Sequence, residues 1–336
     1  MTTYHNAVLH DPLRRTLLRG VLFAGVAGVQ PGLASAQSDY PSRPITVVVP
    51  FPPGGPTDVI ARFLGERLSK TLKQPVLIEN RPGANANIGT AFVAKAPADG
   101  YTILYNTSSI VMSPALYHGL PYDLQYDFQP IALTAVVPLA LVINNDLPAH
   151  NVKEFIAYAK ANPGKLSYGS AGAGSPTHLA ALQFAQAVGI EVMHVPYKGT
   201  APADLDLVAG RLQFMTDTIN TIAPFVKDKR VRMLAVMTPK RIPLYPDVPT
   251  LAETGFPGFE VQAWQGMLVP TGTPSRIIEI LNTAVNQVLK SKDVLDALAV
   301  QGAEPLGGAQ QEYGDYLRKE LSRWTAVIKA AGVKLD

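Results

Sequence analysis

The segment Phe51-Pro52-Pro53-Gly54-Gly55-Pro56-Thr57-Asp58 contains no lysine, arginine, cysteine or serine, so it offers neither a point charge nor a nucleophile. It lies between Ile45, Val47, Val48 and Val49, which read as a buried strand, and Ile60, Phe63, Leu64, Leu68 and Leu72, which fall at helical spacing. A glycine turn that opens a helix presents backbone N–H groups at the helix's positive end, a setting suited to an anion. The chemistry this predicts is holding, not cutting.

A second turn of the same kind is Gly169-Ser170-Ala171-Gly172-Ala173-Gly174-Ser175-Pro176-Thr177-His178. Ser175 is placed to cap a helix and Pro176 to be its first residue. Either turn alone is better read as a tight strand-to-helix connection, which α/β folds need anyway. Together they could grip opposite ends of one anion.

Three more segments fall where strands should end, which is where open α/β sheets bind ligands. They are Asn106-Thr107-Ser108-Ser109, Tyr197-Lys198-Gly199-Thr200 and Asp217. Plainer readings stand beside the ligand reading: turn polarity for the hydroxyls, a helix cap for Asp217, solvation for Lys198 and packing for His178.

Enzyme templates fit poorly. Gly172-Ala173-Gly174 begins like a dinucleotide fingerprint, but Thr177 stands at the third glycine position, and there is no Walker A or G-x-S-x-G sequence. The six histidines form no H-E-x-x-H pair. No catalytic residue, metal or cofactor is expected. A secreted hydrolase using Ser170 or Ser175 with His178 and Asp217 is the enzyme alternative.

The elements that would position these turns alternate. Strand-like runs lie at 45–49, 76–79, 101–105, 139–143, 166–170, 191–195, 212–216 and 231–237, with helical patterns at 58–72, 152–161, 177–188, 202–209 and 275–289. Such alternation predicts an α/β fold with mostly parallel sheets covered by helices. The apolar stretches at 131–143 and 259–270 read as two crossings between lobes: 39–138 plus 265–336 as one, 139–264 as the other. The cleft between would be the ligand site. A single continuous sheet without a hinge has the same periodicity.

Arg14, Arg15 and Arg19 precede or open an apolar stretch ending in Ala34-Ser35-Ala36, which predicts an export signal cut after Ala36. The Arg14-Arg15 pair leaves Sec and Tat routes both open. The chain has 29 basic and 26 acidic residues, and the signal removes three arginines and Asp11, leaving 26 against 25. No basic stripe suggests a nucleic-acid partner. The absence of cysteine excludes disulfides and thiolate chemistry. A periplasmic protein is the expectation.

Across nearly all the mature chain the residues resemble the tripartite tricarboxylate transporter substrate-binding proteins, the Bordetella-uptake-gene (Bug) family. The likeness rests on Tyr40-Pro41-Ser42-Arg43-Pro44-Ile45, Val49-Pro50-Phe51-Pro52-Pro53-Gly54-Gly55 with Asp58, Glu79-Asn80-Arg81-Pro82-Gly83-Ala84 and Ala96-Pro97-Ala98-Asp99-Gly100-Tyr101-Thr102. It continues through the second glycine turn, Val195-Pro196-Tyr197-Lys198-Gly199 and Ala263-Trp264-Gln265-Gly266 with Gly272-Thr273-Pro274.

The resemblance implies a type II periplasmic-binding-protein fold, two Rossmann-like lobes joined by a two-strand hinge. It implies carboxylates held by amides, hydroxyls and waters without a salt-bridging arginine. In the first lobe it places ligand contacts on Phe51, Pro53, Gly54, Gly55, Asp58, Ser108 and Ser109. In the second it places them on Ser170, Ala171, Gly174, Ser175, Thr177 and His178, then Tyr197, Gly199, Thr200 and Asp217. Asp217 would receive an amine or hydroxyl at the ligand's far end. The implied partners are a small organic carboxylate and membrane permease subunits, with the receptor a monomer. A receptor that signals to a sensor kinase is the other binding role considered.

Overall fold

β1 (Ile45–Val49) runs unbroken through apolar side chains because both its faces are covered. Ile45, Val47 and Val49 pack under α1 (Pro56–Leu72) with Ile60, Leu64 and Leu68, while Val48 joins the core on the opposite face. The computed structural model describes residues 40–335. The export signal expected over residues 1–36 and its cleavage point lie outside them.

The chain continues through β2 (Val76–Asn80), α2 (Asn87–Ala94), β3 (Thr102–Thr107), α3 (Ser109–Leu116), β4 (Phe128–Asn144), α4 (Val152–Ala161) and β5 (Leu166–Ser170). It then forms α5 (Pro176–Val188), β6 (Val192–Pro196), α6 (Thr200–Val208), β7 (Phe214–Thr218), α7 (Ile219–Lys227) and β8 (Val231–Val236). Last come β9 (Gln262–Pro270), α8 (Ser275–Leu289), α9 (Lys292–Val300), β10 (Glu304–Gly307) and α10 (Gln310–Ala331). α1 starts two residues before the apolar pattern suggests, because Pro56 suits the first helical position.

The strands follow the order β2-β1-β3-β9-β4-β7-β5-β6, with β10 and β8 added to β4. β4 belongs to two sheets. Up to Pro138 it pairs with β9, and beyond it the same stretch pairs with β7 from Leu139 and with β8 from Ala140. The result is a two-lobed α/β fold. The first lobe carries β2, β1, β3, β9 and β10, and the second carries β6, β5, β7 and β8.

The expectation of mostly parallel sheets needs correction. β2-β1-β3 and β6-β5-β7 are parallel, but every pairing of β4 is antiparallel, as is β3 with β9. Parallel neighbours here are joined by helical crossovers. β4 leaves the first lobe and β9 returns to it, so these two must run in opposite directions.

Two prolines lie in β4, although proline cannot donate to a ladder. Pro130 adjoins a register shift against β9, and Pro138 is the last residue paired to β9 before the partner changes. Each stands where the ladder is already interrupted.

Candidate functional site

In the first lobe the chain passes from β1 outward to β2 and then back across to β3. Helix connections therefore diverge between β1 and β3, and the carboxyl ends of these two strands are where open α/β sheets place a ligand crevice. Val48 is level with Leu104 in the register, so the turn after β1 emerges beside the hydroxyl cluster after β3.

The first turn is shaped by Asp58. Its carboxylate accepts the Gly54 amide at 2.8 Å, Arg62 Nε at 2.9 Å and Asn80 Nδ2 at 2.8 Å. Asn80 Nδ2 also donates to the Phe51 carbonyl at 3.1 Å. Burial pushes the Asp58 carboxyl up, but hydrogen bonds from Arg62, Gly54 and Asn80 outweigh it and hold its pKa below the usual value. Asp58 thus braces the turn from behind.

Gly54, at φ +78°, occupies the left-handed region and Gly55 does not. Pro53 and Gly54 are exposed, and Phe51 packs against the first-lobe core. Among the described residues no hydrogen bond reaches the amides of Thr57 and Asp58, which open α1.

Beyond β3, Asn106 organises the hydroxyls. Its Oδ1 accepts from the Thr107 amide at 2.7 Å and from Ser109 Oγ at 3.2 Å, while its Nδ2 donates to Thr90 at 2.8 Å. The Ser109 hydroxyl is therefore turned inward. Ser108 differs: its amide donates to the Trp264 carbonyl at 3.0 Å, but its hydroxyl is buried with no partner. A buried hydroxyl without a bond is costly, and a ligand oxygen would satisfy it.

The second lobe repeats the arrangement. β5 leads out to β6 and back across to β7, so its topological switch point lies between the ends of β5 and β7. Ser175 Oγ donates to the Gly172 carbonyl at 2.7 Å and accepts the His178 amide at 3.2 Å, capping α5. Thr177 Oγ1 accepts the Ala171 amide at 2.9 Å, and Gly172 N–H donates to Ser170 Oγ at 3.1 Å. The amides of Tyr197 and Gly199 donate to the carbonyls of Ser170 and Ala171, each at 3.1 Å, tying the loop before α6 to the turn. Thr200, the first residue of α6, is buried beside it. The Thr177 amide is free of hydrogen bonds among the described residues.

Two imidazoles lie beneath this turn. His178 Nδ1 accepts the Gly174 amide at 3.0 Å, so its proton resides on Nε2. His194 Nε2 is 2.7 Å from Ser170 Oγ, and the two rings stack with centroids 4.0 Å apart, flanked by Tyr168. Burial pushes His178 down to about 3, helped by His194, and pushes His194 down to about 4. Both are neutral at pH 7.

His194 belongs to no sequence motif; its signal is the strand register, which pairs it with Tyr168, two residues before Ser170 and on the same strand face.

Asp217 is fully buried. Its oxygens accept the Thr218 amide at 2.8 Å and Thr221 Oγ1 at 2.7 Å, a bracing role at the start of α7. Asp204, buried on α6 and also missed from sequence, faces it, and one of its oxygens has no partner. Burial raises both carboxyls, and the repulsion between them keeps a proton on Asp204. The Tyr197 hydroxyl turns away along α6 and donates to Asp206 at 2.6 Å. The hydrolase geometry is not assembled: Asp217 bonds Thr218 and Thr221, and the His178 ring receives an amide, not a serine hydroxyl.

The arrangement can do one thing well. Each switch point holds helix-opening amides, and the first also a buried hydroxyl, free to hydrogen-bond an anion, without a lysine or arginine in either turn. Among the described residues no group of three or more histidine or acidic side chains could hold a metal ion, and no helix is long and apolar enough to cross a membrane.

Known proteins resemble this chain over most of its length. Residues 60–333 match the family model described as tripartite tricarboxylate transporter family receptor. The Rpa4515 protein of R. palustris, solved with adipate, is 40% identical, with a TM-score of 0.83 over 88% of this chain and 100% of that one. The periplasmic binding protein BugD is 36% identical, with a TM-score of 0.82 over 88% of this chain and 100% of its own. MatC from Rhodopseudomonas palustris, solved with malate, is 35% identical, with a TM-score of 0.80 over 86% and 100%.

Proposed function

Since the chain belongs to the tripartite tricarboxylate transporter receptor family, we propose that it is an exported receptor that captures a small organic carboxylate and delivers it to membrane permease subunits. The observation that carries this reading is the pair of helix N-termini at the two switch points, with the unsatisfied Ser108 hydroxyl beside the first. Charge-assisted hydrogen bonds from such neutral donors stabilise a carboxylate without a cation. The relatives solved with adipate and malate support a dicarboxylate as the ligand class.

In this reading the lobes comprise residues 39–138 plus 265–336 and residues 139–264, and they close on the ligand about β4 and β9. Residues 1–36 direct export and are removed after Ala36. The mature chain works as a monomer in the periplasm, as befits a relative of the periplasmic protein BugD. Contacts to one carboxylate come from Gly55, Thr57, Ser108, Thr177 and Thr200, while Asp58, Ser175, His178 and Asp217 hold the contacting loops in shape. It acts by binding alone, without catalysis.

A thermal-shift screen of the mature protein against di- and tricarboxylates, amino acids and aromatic acids, followed by calorimetry, tests this. Saturable binding of a dicarboxylate is expected. No stabilisation by any carboxylate would overturn it.

A further inference from the structure

The segment Ala84-Asn85-Ala86 holds three successive non-glycine residues in the left-handed region, at φ 46°, 50° and 75°. Such a run is disfavoured for residues bearing a Cβ, and it persists only where the surroundings over-determine it. Here they do. The Asn87 amide donates to the Ala84 carbonyl at 3.0 Å, Thr90 Oγ1 bonds the Ala86 carbonyl at 2.9 Å, and Asn87 Oδ1 accepts from Tyr122 at 2.7 Å. Asn106 holds Thr90 from the end of β3, and Gly89 is packed against Pro50 at the end of β1. The strained segment is thereby fixed to both strands of the first half-site.

What this geometry presents is the Asn85 side chain. Its Nδ2 donates to the Gly174 carbonyl in the second glycine turn at 3.2 Å. A Cβ on Gly174 would lie 2.6 Å from Leu335 and 2.8 Å from Leu116, while the Gly174 amide is held by His178. The Leu335 amide donates to the Leu116 carbonyl at 2.9 Å, anchoring the end of the chain to α3. Three first-lobe elements therefore meet at one second-lobe glycine.

We infer that Asn85 is an affinity-setting latch: its bond to Gly174 forms only when the lobes close, and it stabilises the closed form equally for every ligand. This rests on the two-lobed receptor reading. The apparent affinity of such a receptor scales with the population of its closed form. One neutral hydrogen bond shifts that population about three- to tenfold.

The test uses the mature protein with malate and adipate as probes. Asn85→Ala should raise both dissociation constants by the same factor, about three- to tenfold. Asn85→Gly, which relieves the left-handed strain but removes the donor, should weaken binding equally while its ligand-free melting temperature does not fall. A change in the malate-to-adipate ratio would make Asn85 a ligand contact and overturn the latch; unchanged affinities would also overturn it.

Because the chain has no cysteine, dyes on Lys73→Cys and Lys160→Cys report lobe separation cleanly. Asn85→Ala should shift the ligand-free protein toward larger separation, and no shift would count against the latch. Failure of the unsubstituted protein to bind any carboxylate would instead sink the receptor reading, while the dye measurement would still judge the latch.

Discussion

Ser170 Oγ lies 2.7 Å from Nε2 of His194, and the ring of His194 stacks on His178, which accepts the Gly174 amide. The second glycine turn is therefore carried by two neutral imidazoles, and its bond from Gly174 depends on His178 staying neutral. A protonated His178 could not accept from Gly174.

Stability should consequently fall in mild acid. Burial lowers His178 to about 3 and His194 to about 4, while an exposed histidine titrates near 6.5. Between those limits the unfolded chain binds more protons, so stability is lost as pH falls from about 6.5 toward 4. Melting temperature measured across this range at constant ionic strength should decline. His178→Asn, which keeps an acceptor for the Gly174 amide but does not titrate, should flatten the decline.

Ser108→Ala should separate binding from stability. The hydroxyl is buried without a partner, so its removal costs the fold little and leaves the melting temperature within about two degrees. Loss of a charge-assisted bond to the ligand should weaken dicarboxylate binding about tenfold or more. Calorimetry showing unchanged affinity would remove Ser108 from the site.

The two glycines of the first turn should behave oppositely. Gly54 is at φ +78°, so Gly54→Ala should cost about 1–2 kcal/mol in denaturant unfolding. Gly55 has an ordinary φ of −75°, and its Cβ would sit 3.4 Å from the Pro52 carbonyl oxygen. Gly55→Val should therefore keep most of the stability while obstructing approach to the α1 amides, raising the dissociation constant.

Asp58→Ala should act through the turn it braces. It strands the Gly54 amide, Asn80 and Arg62 together, at a cost of about 1–3 kcal/mol. Asp58→Asn, retaining one acceptor, should recover part of that. Urea unfolding of the pair against the unsubstituted protein gives the comparison.

Much of this was legible in the amino acids. A strand, a glycine turn and a proline-led helix are local, so both turns and α1, α5 and α8 stand out. The eight-residue helices α2 and α3 do not, because each is too short to show a period and neither has a side-chain cap. The direction of β4 depends on a partner more than a hundred residues away, so alternation alone suggested parallel strands.

In the candidate site, the position of each loop was readable but the direction of its side chains was not. Asp58, Tyr197 and Asp217 have the chemistry of ligand contacts, yet their polar atoms are committed to Gly54, Asp206 and Thr221. His194 and Asn85 carry no motif and matter through strand register and a turn of the opposite lobe.

Pro138 stands where β4 exchanges its β9 partner for β7, and it has no N–H to give to either. In the proposed closure, a bend at that residue would break no proline-donated bond, which would place the mechanical freedom of the molecule in the main chain and away from the residues proposed to hold the ligand. Recognition and motion can then diverge independently: a lineage can exchange one acid for another by altering loops, while inheriting the moving part unchanged.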